Sequence, residues 1–78
     1  MKGYILINTA SGRVWRVAEE ALKISGVRMA HAVTGQYDVI VYVEFARMED
    51  LAGIIDLIQS IDGVVRTYTA IVMAQRIS

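Results

Sequence analysis

The sequence predicts an α+β domain: a four-stranded antiparallel sheet with two helices on one face, in the chain order β-α-β-β-α-β. Three observations predict it. Short continuous apolar runs alternate with stripes of apolar residues at helical spacing, in that order. A shift of 37 residues lays one half of the chain on the other, pairing Val14 with Leu51, Val17 with Ile54, Ala18 with Ile55, Ala21 with Ile58, Ile24 with Ile61, Gly26 with Gly63 and Val27 with Val64. Finally, 55% of the 78 residues are apolar, more than so small a single domain encloses by itself, so one face of the sheet is left for a second copy.

Taken in order, Tyr4-Ile5-Leu6-Ile7-Asn8 reads as a buried strand, and Thr9 to Gly12 as a loop with Ser11 as the expected N-cap of a helix. From Arg13 to Ser25, the residues Val14, Val17, Ala18, Ala21 and Leu22 form one helical stripe, with Arg16, Glu19, Glu20 and Lys23 mainly opposite. Gly26 suits the position after a helix. Val27 to Val33 is a second strand of mixed polarity. The third, Tyr37 to Phe45, is the strongest, apolar at every step from Val39 to Val43. A second helix runs from about Met48 to Ile61 on Leu51, Ile54, Ile55 and Ile58, with Glu49 and Asp50 in its first turn, where the helix dipole favours acids. After Asp62-Gly63, a last strand runs from Val64 to about Met73, and Ala74 to Ser78 is a tail. This is the pattern of the split βαβ, ferredoxin-like plait, with strands 1 and 3 central and strands 2 and 4 at the edges. Both parities of strand 3 are apolar, whereas two helices cover one face only. A homodimer joined through the other face is therefore expected.

Composition excludes several functions. Net charge is zero, the pI is about 6.5 and no Lys/Arg run occurs, which argues against direct nucleic-acid binding. With no Cys there are no disulfides, thiolate metal sites or thiol nucleophiles. A strand pattern starting almost at Met1 leaves no room for a signal peptide, and no apolar run reaches the ~18 residues of a membrane span. The expected location is the cytoplasm. His31 stands alone on a strand, without a second His, a Cys or a nearby carboxylate at ligand spacing. Glu19 and Glu20 lie on a solvated helix face. Asp38 and Glu44 share a strand parity but stand about 20 Å apart along it. No phosphate loop, nucleophile elbow or metal signature is present, so neither an enzymatic role nor a cofactor is expected.

One stretch gathers ligand-capable groups: Val33-Thr34-Gly35-Gln36-Tyr37-Asp38, the tight link between strands 2 and 3. Gly35 can take φ > 0 and leaves its peptide N–H groups open to a small anion. Asp38 could meet an ammonium, so together they suit a zwitterion such as a free amino acid. On chemistry alone, a plain hairpin loop with a solvated Asp38 is favoured. Thr67 and Thr69 put two hydroxyls on one face of the last strand, although Thr is also a common strand residue that only packs there. Trp15, Tyr42 and Tyr68 suit core or association surfaces.

The chain resembles the effector-binding RAM domain (regulation of amino-acid metabolism) of the Lrp/AsnC family. The resemblance covers nearly the whole chain. It rests on Gly26-Val27, on Val33-Thr34-Gly35-Gln36-Tyr37-Asp38 followed by Val39-Ile40-Val41, on Leu51, on Ile61-Asp62-Gly63-Val64 and on Thr67-Tyr68-Thr69. Family members usually carry a helix-turn-helix ahead of this module. Here Met1 leads directly into strand 1, so a stand-alone RAM protein without DNA binding is expected. The resemblance implies dimers formed by two sheets packing face to face, which assemble further into octamers or decamers. It also implies an amino-acid effector bound between dimers, and a full-length Lrp/AsnC regulator as a possible partner. At matching positions, Thr34, Gly35, Gln36, Tyr37 and Asp38 would hold the α-carboxylate and α-ammonium. Thr67 and Thr69 of a neighbouring subunit would complete the pocket. Two rivals remain at this point: a small dimeric plait enzyme of monooxygenase or isomerase type using His31, and an oligomerisation module with no ligand. Fold alone does not choose among them.

Overall fold

In a computed structural model that describes residues 1–74, the elements follow the expected order: β1 Lys2–Thr9, α1 Val14–Leu22, β2 Val27–Ala32, β3 Val39–Glu44, α2 Met48–Gln59 and β4 Val64–Ile71. Of the expected tail, residues 75–78 lie outside the described residues. The four strands form one sheet in the order β2-β3-β1-β4, every neighbour antiparallel. The two continuous apolar runs thus sit in the centre and the mixed strands at the edges. In a central strand both backbone edges are paired, and apolar side chains on both faces cost nothing once each face is covered.

The core lies between the sheet and the helices. Ile5 and Ile7 of β1, and Val39, Val41 and Val43 of β3, are fully enclosed there against Val17, Ala18 and Ala21 of α1 and Leu51, Ile54 and Ile58 of α2. Val27 and Phe45 close the rim. Both Val27 and Ala30 of β2 turn toward the helices although three residues apart, because a bulge at Arg28 resets the alternation: Val27 pairs with Val43, and Met29 with the next residue, Tyr42. That reset is invisible to period-2 counting.

Two expectations about α1 are corrected. Arg13, not Ser11, occupies the N-cap position, with φ −110° and ψ 1° and no side-chain cap. The chain needs a tight turn first, in which the Arg13 N–H donates to Ala10 O (3.1 Å), before Arg13 O can accept the first helical bond from Val17 N–H (2.9 Å). Leu22 belongs to the spacing of the stripe but is half exposed, and α1 ends at it, so no further turn covers that side chain. In α2, Asp50 accepts a hydrogen bond from the Arg47 N–H (3.1 Å) and satisfies one of the helix's open donors.

The internal repeat survives as contacts. A Cβ placed on Gly26 would lie 2.8 Å from Ile54 Cδ1, and one on Gly63 would lie 2.7 Å from Arg13 Cβ and 3.4 Å from Val17 Cγ2. Gly26 and Gly63 are equivalent in the two halves, and so are Val17 and Ile54. Each half's exit glycine is packed under the helix of the other.

Among the described residues, no helix covers the opposite face of the sheet. Tyr4 and Leu6 of β1, Met29 of β2, Ile40 and Tyr42 of β3 and Tyr68 of β4 point to it by register, and the Tyr4 and Tyr42 rings meet at 5.3 Å. At its border the Arg28 Nε donates to Glu44 Oε1 (3.0 Å). Desolvation, helped by the carboxylate of Glu44, pushes the Tyr42 phenol above its ordinary pKa.

Candidate functional site

The link between β2 and β3 is tied to the end of the central strand β1. The Val33 N–H donates to Asp38 O (2.9 Å), closing the loop, and the Asp38 N–H donates to Ile7 O (2.9 Å). The Asp38 carboxylate accepts the Thr9 N–H at Oδ2 (2.8 Å). The Asn8 amide donates to Gln36 O (2.7 Å). A six-residue loop that would otherwise be mobile is therefore clamped at both its backbone and its carboxylate. Its tip is open. Thr34, Gly35 and Gln36 are exposed, and Gly35 has φ 108°, with nothing within 4 Å of where a Cβ would stand. That φ is reached readily only by glycine, so the loop's amides can meet a small anion without a side chain in the way.

Tyr37 and Asp38 are half-buried. The Tyr37 ring meets Tyr68 edge-on at 5.7 Å, which draws the turn toward β4 across β1. Thr67 and Thr69 sit on the same strand as Tyr68 but opposite Ile7 and Ile5, on the helix side of the sheet. Thr67 Oγ1 accepts from the Gln59 amide of α2 (3.0 Å), and Thr69 is exposed. Among the described residues of one protomer, no hydrogen bond joins this pair to the turn. His31 is exposed and paired with Ile40 on the open face.

Reasoning from sequence missed Asn8 and Thr9. In the sequence Asn8 reads as the polar end of a strand and Thr9 as the start of a loop, and only the register of β1 against β3 brings them under the turn. The Thr9 hydroxyl is buried without a partner, so the polar lining beneath Asp38 is incompletely satisfied. Also missed is a groove beside the turn, lined by Val14 and Trp15 of α1 and by Ala32, Val33 and Thr34. Thr34 belongs to both features. No cluster of three His, Cys, Asp or Glu able to hold a metal ion occurs among the described residues, and none of their helices is long and apolar enough to cross a membrane.

Comparison with known proteins joins this geometry to a family. The model of the family described as the Lrp/AsnC ligand binding domain matches residues 2–78. The HTH-type transcriptional regulator FL11 of Pyrococcus abyssi is 34% identical over 73 residues, which cover 94% of this chain and 48% of the regulator, so the chain spans about half the length of that curated relative. The crystal structure of TTHA0845 from Thermus thermophilus is similar at a TM-score of 0.92 and 27% identity, covering 99% of this chain and 98% of that one. The transcriptional regulator NMB0573 of Neisseria meningitidis, in its complex with L-Met, shares the fold at a TM-score of 0.81 and 19% identity, covering 95% of this chain and 50% of that one. The chain belongs to the Lrp/AsnC family and corresponds to its ligand-binding domain.

Proposed function

We propose that this chain is a cytoplasmic amino-acid-sensing module without catalytic activity, which binds a small free amino acid between dimers. Binding biases its own assembly into octamers or decamers, or its association with a full-length Lrp/AsnC regulator. The observation that carries this is the clamped turn: Gly35 lies at its open tip with φ 108°, and three residues on the Asp38 carboxylate is held by the Thr9 N–H, a combination that suits the two charges of an amino acid. Thr34, Gly35, Gln36, Tyr37 and Asp38 form this protomer's share of the site. Thr67 and Thr69 contribute from a neighbouring subunit, since within one protomer they lie on the far side of β4 from Tyr37. Family membership and the L-Met complex of the Neisseria regulator support the ligand class. The uncovered sheet face of Tyr4, Leu6, Ile40 and Tyr42 supports a face-to-face dimer.

A ligand alters assembly only if it binds one assembly state more tightly than another. The test is thermal denaturation of the purified chain against each of the twenty amino acids, with light scattering after size exclusion. A rise of several degrees with one or a few amino acids near ~100-fold saturation, together with a change of assembly mass, is the expected result. No rise and a fixed mass would leave a ligand-free oligomerisation module. The plait-enzyme alternative gains no support, because His31 is exposed on the sheet face remote from the helices.

A further inference from the structure

Resting on the amino-acid reading, we infer that the effector carries an uncharged, apolar side chain, which lies in the groove between the start of α1 and the end of β2, against Trp15. The groove begins where the turn does, because Thr34 lines both. An amino acid with its carboxylate on the amides around Gly35 and its ammonium toward Asp38, which is tied inward to Thr9, has its α-carbon beside Thr34. The wall of this protomer that is continuous with that point is Val14, Trp15, Ala32 and Val33.

The chemistry of that wall selects a class. Among the described residues, its only side-chain polar groups are the Thr34 hydroxyl and the indole N–H of Trp15, and none of its described lining residues is charged. Arg13 extends instead toward Asp62 (4.0 Å). A lysine or glutamate side chain placed there would lose hydration without gaining a counter-charge. An aliphatic, thioether or aromatic side chain would lose only contact with water. With a volume of about 640 Å³, the groove excludes none of these by size. Trp15 is the chain's single tryptophan and is 73% exposed, so an occupant has a large apolar surface to cover.

The same tryptophan reports on the groove. Titrating the intact chain with L-leucine, L-methionine, L-phenylalanine, L-lysine and L-glutamate, by calorimetry and by intrinsic tryptophan emission, tests the inference. The apolar amino acids are expected to bind about tenfold or more tighter than the charged ones and to shift the emission to the blue. Trp15→Ala is expected to erase most of that preference while leaving the assembly mass of the ligand-free protein unchanged. Tighter binding of a charged amino acid, or saturation by any amino acid with unmoved emission, would overturn the inference and leave the sensor reading intact. Binding by none of the twenty amino acids in the thermal denaturation test would overturn both. A Trp15→Ala variant with altered mass and an intact apolar preference would overturn the inference too, and would assign Trp15 to contact with a second copy.

Discussion

Asp38 has two tasks, and a pair of variants separates them. Its carboxylate holds the Thr9 N–H at 2.8 Å and also supplies the charge proposed to meet an ammonium. Asp38→Ala removes both, and is expected to cost about 1–3 kcal/mol for the half-buried donor it abandons as well as ligand binding. Asp38→Asn keeps an acceptor for Thr9 and removes the charge. Thermal denaturation is expected to place it within about 1 kcal/mol of the parent, while calorimetry finds amino-acid binding lost. Unchanged binding by the Asn variant would remove Asp38 from the site. Glycines divide in the same way. Gly35 and Gly63 have φ of 108° and 103°, but only Gly63 also has a neighbour in the path of a Cβ, Arg13 at 2.7 Å. Gly35→Ala is expected to cost about 1–3 kcal/mol in backbone strain alone. Gly63→Ala is expected to cost more, because overpacking adds to the strain, and denaturant titration of the two variants checks the order. The turn itself was legible in the sequence because glycine and its neighbours are local signals. Asn8 and Thr9 were not, because their role exists only once a distant strand has paired.

At the scale of elements, the helices were legible by face and less so by length. Spacing put Leu22 in the same stripe as Val17, yet it is 50% exposed whereas Ile58 is fully buried. Leu22→Ala is therefore expected to cost less than about 1 kcal/mol, against about 2–5 kcal/mol for Ile58→Ala. Equal losses in equilibrium unfolding would mean that α1 extends in solution beyond Leu22. Strand order and the central position of β1 and β3 followed from polarity, because a doubly covered strand cannot carry many polar side chains. The Arg28 bulge could not be read, since alternation gives no warning of where it will be reset. Ser11 failed as a cap for a related reason: the best capping residue does not fix where the backbone first turns.

For the whole molecule, the decisive feature is a sheet with one covered and one uncovered face. Leu6 and Ile40 face each other at the middle of the uncovered side. Leu6→Glu is expected to leave the fold intact, since the buried set of β1 is Ile5 and Ile7. It should also convert the proposed dimer to monomer in light scattering, because face-to-face pairing would bury an uncompensated charge from each copy. A dimer that persists unchanged would place the contact elsewhere on the surface.

The reciprocal packing of Gly26 under Ile54 and of Gly63 against Val17 bears on how the chain acquires its structure. Neither half, from first strand to exit glycine, contains the helix that covers its own exit. A half-length fragment would therefore have no native state to reach alone, and the two halves must be won or lost together in one cooperative transition. Supplied as separate peptides, each half would be the other's missing template. Supplied as one peptide, a half could complete itself only by clasping an identical twin, which is the two-fold arrangement that a simple head-to-tail fusion would preserve within a single chain.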